Sequence, residues 1–171
     1  PKTVLCGDGY LAPPRQGELT LGASFNLHDL NLEPCESEQQ ANLALLDQLC
    51  PSLALTYRDA AWPYHCDRVA YRCTSTDYLP LVGPLVDPEH FASIYAPLSK
   101  DSRWRSQAPC PWLTGLYLNT AHGSRGLITA PLSGELLAAW IEHEALPLPS
   151  DLAYATLPVR YALRRLIRRE Q

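Results

Sequence analysis

The segment "AHGSRGL" (121–127) combines the residue types and spacing of a ligand-binding turn. Gly123 and Gly126 allow backbone conformations and close approaches that a Cβ atom would block, and Ser124 can cap the helix predicted to follow. A helix N-terminus offers unpaired N–H groups and a partial positive charge of about half a unit, which favours an electron-rich ligand group. The segment has neither the Lys-Ser/Thr ending of a Walker loop nor the spacing of GxGxxG. Two interpretations stay open: a ligand site other than a phosphate loop, and an ordinary strand-to-helix turn.

Arg72 is the second candidate binding residue. Apolar and polar residues alternate over 69–74, which predicts a strand that aims Arg72 away from its apolar neighbours. An arginine there can hold a carboxylate through two parallel hydrogen bonds, although most strand arginines simply face water. Asp77, just before "PLVG" (80–83), is interpreted as a brace for the turn.

The sequence gives little support for hydrolytic or metal chemistry. No Ser/His/acid or Cys/His set can be assembled, because the sequence around any one candidate residue does not identify its partners. Acid–base or nucleophilic hydrolysis is therefore not indicated. The six cysteines form no CxxC pair, which favours unpaired thiols in a reducing compartment over disulfides. The five histidines are scattered singly, which argues against a metal site.

The composition is that of a globular domain of ordinary size. The chain has 171 residues, of which 46% are hydrophobic and 19% charged, with a net charge of −4. No apolar run approaches the roughly 18 residues of a membrane span, and no signal-peptide pattern opens the chain, so we expect a cytoplasmic location and no membrane partner. The opening Pro-Lys-Thr-Val-Leu-Cys and the absence of methionine suggest a piece of a longer protein.

The elements around these candidates begin with a β-rich segment. Thr3–Leu11 and Leu19–Phe25 flank "APPRQGE" (12–18) and predict a hairpin. Ser37 and Gln40 have the form of a capping box, and the apolar spacing that follows predicts one amphipathic helix that ends before Pro51.

The second half predicts a strand, the candidate loop and a helix. "LPLVGPL" (79–85) is interrupted by Pro and Gly and predicts a short extended piece rather than a central strand. Residues 86–114 predict a long, irregular connection. Residues 115–120 predict a brief buried strand, and the helix after the loop contains Pro131 either at an early position or as an interior kink.

The arginine-rich tail has three interpretations. Ser150 is predicted to cap a helix, and Pro158 to open the last helix. Five arginines of that helix are expected to be largely exposed: Arg160, Arg164, Arg165, Arg168 and Arg169. Such a surface is a solvated face, an anchor on the rest of a larger protein, or an electrostatic contact with nucleic acid.

The order of these motifs resembles a known family. "RCTSTDYLPLVG" (72–83), a long connection and "GLYLNTAHGSRGLITAPLSGELLAAWI" (115–141) resemble the C-terminal half of flavin-dependent amine oxidoreductases of the D-amino-acid-oxidase and glycine-oxidase superfamily. Within it, "KTVLCGDGYLAP", "LTLGASF", "HGSRGL" and the closing "LPLPSDLAYATLPVRYALRRLIRR" are similar to the oxidoreductase domain of the bacterial bifunctional enzymes that make 5-methylaminomethyl-2-thiouridine in tRNA. The resemblance covers nearly the whole chain.

The resemblance implies an FAD enzyme that acts on the carboxymethylaminomethyl group of a wobble uridine in tRNA. Hydride transfer from the carbon next to the amine to the flavin, followed by hydrolysis of the imine, would leave the aminomethyl uridine. A separate methyltransferase domain that uses S-adenosylmethionine would then methylate the amine. The implied partners are tRNA, FAD and a missing N-terminal part of the same polypeptide.

The resemblance also implies roles for individual residues. Arg72 matches the position at which relatives hold the substrate carboxylate. The family runs its helix through the proline, which favours a kink at Pro131. Five residues would lie against the flavin ring, where the helix dipole stabilises negative charge on the reduced pyrimidine end: Gly123, Ser124, Arg125, Gly126 and Leu127.

The implied fold is α+β, with a mixed or antiparallel sheet and helices packed on one side, as part of a D-amino-acid-oxidase-like fold. Residues 1–114 are expected to form part of a substrate-binding β-rich region with one helix, and 115–171 the flavin-binding strand–loop–helix and the basic helical tail. The family's GxGxxG is absent, so we expect the chain alone to bind FAD weakly or not at all and to be inactive. Two alternatives stay open: a small-molecule amine oxidase of the glycine or sarcosine oxidase kind, and a non-catalytic domain whose arginine-rich tail binds RNA.

Overall fold

The computed structural model describes residues 1–22, 24–27, 29–57 and 68–169. The chain divides into two compact units, Pro1–Tyr71 and Arg72–Gln171. None of the helices in the described ranges has the length and apolar character needed to cross a bilayer. The described cysteines are free thiols, whereas Cys66 and two of the scattered histidines, His28 and His65, lie outside the described residues.

The first unit contains a small antiparallel sheet of three two-residue strands. In chain order these are β1 (Leu5–Cys6), β2 (Tyr10–Leu11) and β3 (Leu21–Gly22), and β2 pairs with both others. The hairpin predicted around "APPRQGE" is confirmed between β2 and β3. Its tip is a tight turn at Gln16 and Gly17, which both have positive φ, 55° and 86°.

The β-rich segment predicted at Thr3–Leu11 contains two short strands. The backbone reverses at Gly7–Gly9, where the Gly7 N–H donates to the Gly9 carbonyl at 2.9 Å. A Cβ atom on Gly9 would stand 2.7 Å from the Gly22 carbonyl oxygen, so the close approach of β3 favours glycine. The two halves of this segment therefore form β1 and β2, which pair with each other.

In the described part of the first unit two helices follow, α1 (Glu36–Leu49) and α2 (Pro51–Tyr57). The predicted capping box is wrong, because α1 begins before it: Cys35 is the extended N-cap residue and Ser37 already lies in the first turn. Helix α2 was not predicted. Pro51 starts a new helix as well as ending the predicted one, since proline is favoured at the first helical position. The core of this unit consists of Leu11, Leu46 and Ala54.

The second unit is built on a two-stranded antiparallel sheet, β4 (Leu81–Val86) with β5 (Trp112–Thr120). The strand predicted at 115–120 is confirmed and begins three residues earlier, but the prediction that it is buried is wrong, because every residue of β5 is exposed or half-buried. The short extended piece predicted at 79–85 is instead a full strand. Pro84 is tolerated there because, among the described residues, β4 pairs with a strand on one side only.

The strand predicted over 69–74 is wrong. In this stretch only Thr74 joins a β-bridge, an isolated one with His122. A segment of alternating polarity forms a strand only where a neighbouring strand supplies hydrogen bonds. Here the pairing is limited to one position.

The irregular connection predicted for 86–114 is also wrong in part. It contains α3 (Pro88–Tyr95) and a 3₁₀ turn at Ala96–Ser99. The Asp87 carboxylate caps α3 by accepting the N–H groups of Glu89 and His90 at 3.0 and 2.9 Å. Asp-Pro is therefore the start signal that the sequence reading missed.

Three more helices complete the second unit: α4 (Gly126–Glu142), α5 (Ser150–Ala155) and α6 (Val159–Arg168). Helix α4 runs through Pro131, as the resemblance implied. The two predicted helix starts in the tail are each wrong by one residue, because Pro149 is the N-cap of α5 and Pro158 is the N-cap of α6.

Two buried clusters hold this unit together. One contains Val82, Leu136 and Ala153, and the other contains Phe91, Leu157 and Val159. Gly83 lies between them with φ +127°, and a Cβ atom there would stand 2.6 Å from Leu157 Cδ2. The missing side chain therefore lets strand β4 pack directly against Leu157. The α+β prediction with antiparallel pairing is confirmed, with two small sheets in place of one larger sheet.

Candidate functional site

The candidate loop joins the end of β5 to the start of α4. Ala121 and Gly123 both have positive φ, 61° and 58°, and Gly123–Arg125 form a single 3₁₀ turn. The Arg125 N–H donates to the His122 carbonyl at 3.2 Å inside this turn. The predicted strand–turn–helix is therefore confirmed, and its two backbone reversals lie within three residues.

The loop is held against the segment that contains Arg72. The Gly123 N–H donates to the Cys73 carbonyl at 3.1 Å, and Thr74 bridges His122. A Cβ atom on Gly123 would stand 3.2 Å from the Thr74 methyl group, so the close approach favours glycine. The backbone contacts thus bring the two sequence candidates, Arg72 and the loop, to the same place in the second unit.

The start of α4 presents exposed apolar and backbone groups. Leu127 is 98% exposed and Ile128 is 79% exposed. The N-cap residue is Arg125, and no side chain caps the helix, so the capping role predicted for Ser124 is wrong. Ser124 lies inside the 3₁₀ turn, one residue too early to cap α4. The first N–H groups of α4 therefore lack a side-chain acceptor and suit an electron-rich ligand group.

His122 is a loop residue that the sequence reading did not assign. Its Nδ1 lies 2.9 Å from Thr129 Oγ1, and its Nε2 lies 2.9 Å from Asn119 Oδ1. The Thr129 hydroxyl also donates to the Arg125 carbonyl at 3.1 Å, so Thr129 links the ring to the residue that precedes α4.

The His122 ring thereby connects the end of β5, the loop and the first turn of α4. Asn119 lies three positions before His122, on β5, and Thr129 lies seven positions after it, on α4. Sequence spacing alone does not reveal it, because the loop must first fold to bring Asn119 and Thr129 to opposite sides of the ring.

A polar cluster around Asp77 holds the turn that follows the Arg72 segment. Arg160 donates from Nε and Nη2 to the two carboxylate oxygens of Asp77, each at 2.9 Å, and Arg164 donates to the same carboxylate. Asp77 in turn accepts the Leu79 N–H at 3.3 Å, which confirms the predicted brace of the turn.

The contacts of the Asp77 cluster are charged and partly buried. Arg160 is only 7% exposed, so the prediction that it faces solvent is wrong. The paired Asp77 compensates the cost of burying its charge. Hydrogen bonds, first from Arg160 and then from Arg164 and Ser75, hold the pKa of the Asp77 carboxyl well below its ordinary value.

Comparison with known proteins assigns the family. Residues 1–140 match the profile of the family described as "FAD dependent oxidoreductase" (DAO). That match covers well over half of the chain, and the chain belongs to this family of FAD-dependent oxidoreductases.

Individual relatives cover almost the whole chain. A protein of Stutzerimonas stutzeri (strain A1501) is 57% identical over 171 residues, which cover 98% of this chain and 26% of the relative. A protein of Pseudomonas putida (strain W619) is 57% identical over 168 residues, with 97% and 26% covered. A protein of Pseudomonas fluorescens (strain Pf0-1) is 56% identical over 170 residues, again with 97% and 26% covered.

All three relatives are named "tRNA 5-methylaminomethyl-2-thiouridine biosynthesis bifunctional protein MnmC". The chain spans about a quarter of the length of these relatives.

The loop residues fit the cofactor of this family. A flavin ring is planar and has an electron-rich edge, and the uncapped start of α4 offers N–H groups to such an edge. The exposed Leu127 offers an apolar surface to a ring face.

Proposed function

We propose that this chain is part of the FAD-dependent half of a bifunctional tRNA-modifying enzyme. The proposed reaction removes the carboxymethyl group from 5-carboxymethylaminomethyl(-2-thio)uridine at the wobble position of tRNA, before methylation of the amine. The observation that carries the proposal is the hydrogen bond from the Gly123 N–H to the Cys73 carbonyl, because it joins the loop suited to a flavin with the segment that begins at Arg72.

The loop residues hold the ring side of the cofactor in this proposal. When bound, FAD supplies the oxidising power, since it accepts a hydride from the carbon next to the substrate amine. The N–H groups at the start of α4 favour negative charge on the ring edge beside them. Gly123, Ser124, Arg125 and Gly126 contribute backbone, and Leu127 excludes water from one ring face.

Arg72 holds the substrate carboxylate in this proposal. The carboxymethyl group that is removed ends in a carboxylate, and a guanidinium binds that group with two parallel hydrogen bonds. Arg72 directly precedes Cys73, so its position is fixed relative to the loop by the backbone contact with Gly123. The chain thereby orients the carbon that is oxidised towards the cofactor.

The division of labour along the chain is part of the same proposal. Residues 1–114 contribute to the substrate side, and 115–171 form the closing flavin segment with the basic tail. The longer polypeptide supplies the dinucleotide-binding GxGxxG motif and a methyltransferase domain that uses S-adenosylmethionine. The names of the relatives support this arrangement, because they describe a bifunctional protein of tRNA modification.

Substitution of Arg72 in the full-length protein tests the proposal. Arg72→Ala should raise KM for tRNA that carries 5-carboxymethylaminomethyluridine by about tenfold or more, because a charge-assisted bidentate contact is lost. Arg68→Ala is the matched control: it removes an exposed arginine four residues earlier and should leave KM unchanged. Equal KM values for Arg72→Ala and the wild type would remove Arg72 from the site.

The choice of substrate separates this function from a small-molecule oxidase. The full-length protein should reduce its flavin with modified tRNA and not with glycine or sarcosine. Rapid flavin reduction by glycine or sarcosine, with none by the tRNA, would instead assign the chain to an amine oxidase.

A further inference from the structure

The arginines of α6 fall into two groups that the sequence pattern does not distinguish. Arg160 and Arg164 bind the Asp77 carboxylate, so their charges are used within the fold. Arg165 and Arg168 in the last turn of the helix and Arg169 at its C-cap are exposed. Among the described residues, neither Arg165 nor Arg169 makes an ion pair.

A second segment adds positive charge at the same end of α6. The Arg169 Nε donates to the Ser99 carbonyl at 2.9 Å, which joins the end of the helix to the 3₁₀ turn Ala96–Ser99. Lys100 is exposed and follows Ser99 directly. The neighbouring Asp101 carboxylate lies 3.9 Å from Arg103 Nε and accepts the Arg103 N–H at 2.9 Å, so it already has a cationic partner.

These residues define a basic surface consisting of Lys100, Arg165, Arg168 and Arg169. It occurs in a chain whose net charge is −4. The dipole of α6 favours cations in the last helical turn, but such an effect is worth only about 0.3–1 kcal/mol and does not explain a lysine on another segment. Like charges on one surface repel one another, and a bound anion relieves that repulsion.

We propose that this basic surface binds the phosphate backbone of RNA. Guanidinium groups form forked hydrogen bonds with phosphate oxygens, and such contacts hold a nucleic acid in position without reading its sequence. The inference rests on the proposed function, which makes tRNA the partner. The surface holds the body of the tRNA while the loop and Arg72 act on one modified nucleotide.

The salt dependence of tRNA binding by the full-length protein tests the proposal. The triple variant Lys100→Gln, Arg165→Gln, Arg168→Gln leaves the Arg169 contact with Ser99 in place. Each lost phosphate contact lowers the slope of log Kd against log salt concentration by about one, so the slope should fall by about three. At near-physiological salt, Kd for tRNA should rise by about tenfold or more.

A matched triple variant controls for the loss of charge. Lys2→Gln, Arg15→Gln, Arg68→Gln removes the same three charges from exposed positions of the first unit and should keep the wild-type slope. Arg165→Lys retains the charge and should also stay near the wild-type slope. If both triple variants have the wild-type slope, or both lose it equally, the basic surface is not the contact.

Two further measurements separate the inference from the proposed function. The basic-surface variant should oxidise a short modified anticodon stem-loop with the wild-type kcat, because that substrate lacks the tRNA body. If the wild-type protein never oxidises the stem-loop, the proposed function is contradicted. A lowered slope of log Kd against log salt concentration in the basic-surface variant would still support the RNA surface. If the variant loses binding to anionic lipid vesicles but retains its binding to tRNA, the surface is a membrane contact and the inference is overturned.

Discussion

Asp77 is a side chain at which several long-range polar contacts of the second unit meet. It is paired with Arg160, which is 83 positions away in the chain and whose side chain is only 8% exposed. Asp77→Asn leaves that guanidinium buried without its counter-charge, and breaking a buried pair in this way costs about 3 kcal/mol or more. We expect a lower denaturant midpoint for unfolding of the full-length protein. Glu135→Gln on the exposed side of α4 should change stability by less than about 0.5 kcal/mol.

The same residue predicts a dependence of stability on pH. The pKa of the Asp77 carboxyl is lowered in the folded state, so between the folded and unfolded pKa values the folded protein binds fewer protons. The contribution of Asp77 is therefore fully present above the unfolded value of about 4 and is lost as the pH falls towards the folded value. The stability difference between wild type and Asp77→Asn should be constant from pH 5 to 7, on the order of the full effect, and shrink below about pH 4. A difference that stays constant down to pH 2 would contradict this account.

At the scale of elements, the backbone of the loop between β5 and α4 depends on one glycine. Gly123→Ala places a methyl group at φ +58° and 3.2 Å from the Thr74 methyl group. A strained left-handed conformation costs about 1–2 kcal/mol, and the contact with Cys73 must also shift. We expect weaker FAD retention by the full-length protein, measured as the flavin lost on dilution.

Gly134→Ala is the matched control for that substitution. Gly134 lies in the interior of α4, and an added Cβ atom meets nothing within 4 Å. The same change from glycine to alanine should there stabilise the helix by about 0.5–1 kcal/mol and leave FAD retention unchanged. Equal FAD loss in both variants would mean that the loop geometry does not matter for the cofactor.

At the scale of the whole molecule, the chain has the ring side of the proposed cofactor site but no GxGxxG loop for the pyrophosphate. We expect the 171-residue chain, purified alone, to lose FAD on gel filtration, whereas the full-length protein retains it. The absorption spectrum of the eluted protein provides the measurement. A flavin spectrum that co-elutes with the chain would show that the loop and its neighbours suffice.

The exposed apolar start of α4 is explained by the same proposed cofactor site. Leu127 and its neighbour Ile128 are 98% and 79% exposed, and they stand beside N–H groups that no side chain caps. In the proposed enzyme the cofactor covers this surface. The basic surface at the end of α6 lies in the same unit and would hold the larger substrate.

The sequence by itself determined the local features. The strand–loop–helix around "HGSRGL" was predicted correctly, because glycine placement and apolar spacing act through neighbouring residues. The turn at Gln16–Gly17 was found for the same reason. The family resemblance also came from these motifs, whose order is a property of the sequence alone, and the family match over residues 1–140 confirms it.

Only the tertiary structure decided which polar residues work together. Arg160 has the same periodic surroundings as its exposed neighbours, yet it is buried because Asp77 lies across from it. His122 gains its two partners only after the loop has folded, and β4 becomes a strand because β5 is there to pair with it. Local patterns follow from backbone sterics within a few residues, whereas pairing across dozens of residues depends on chain closure and burial, which no short stretch of sequence encodes.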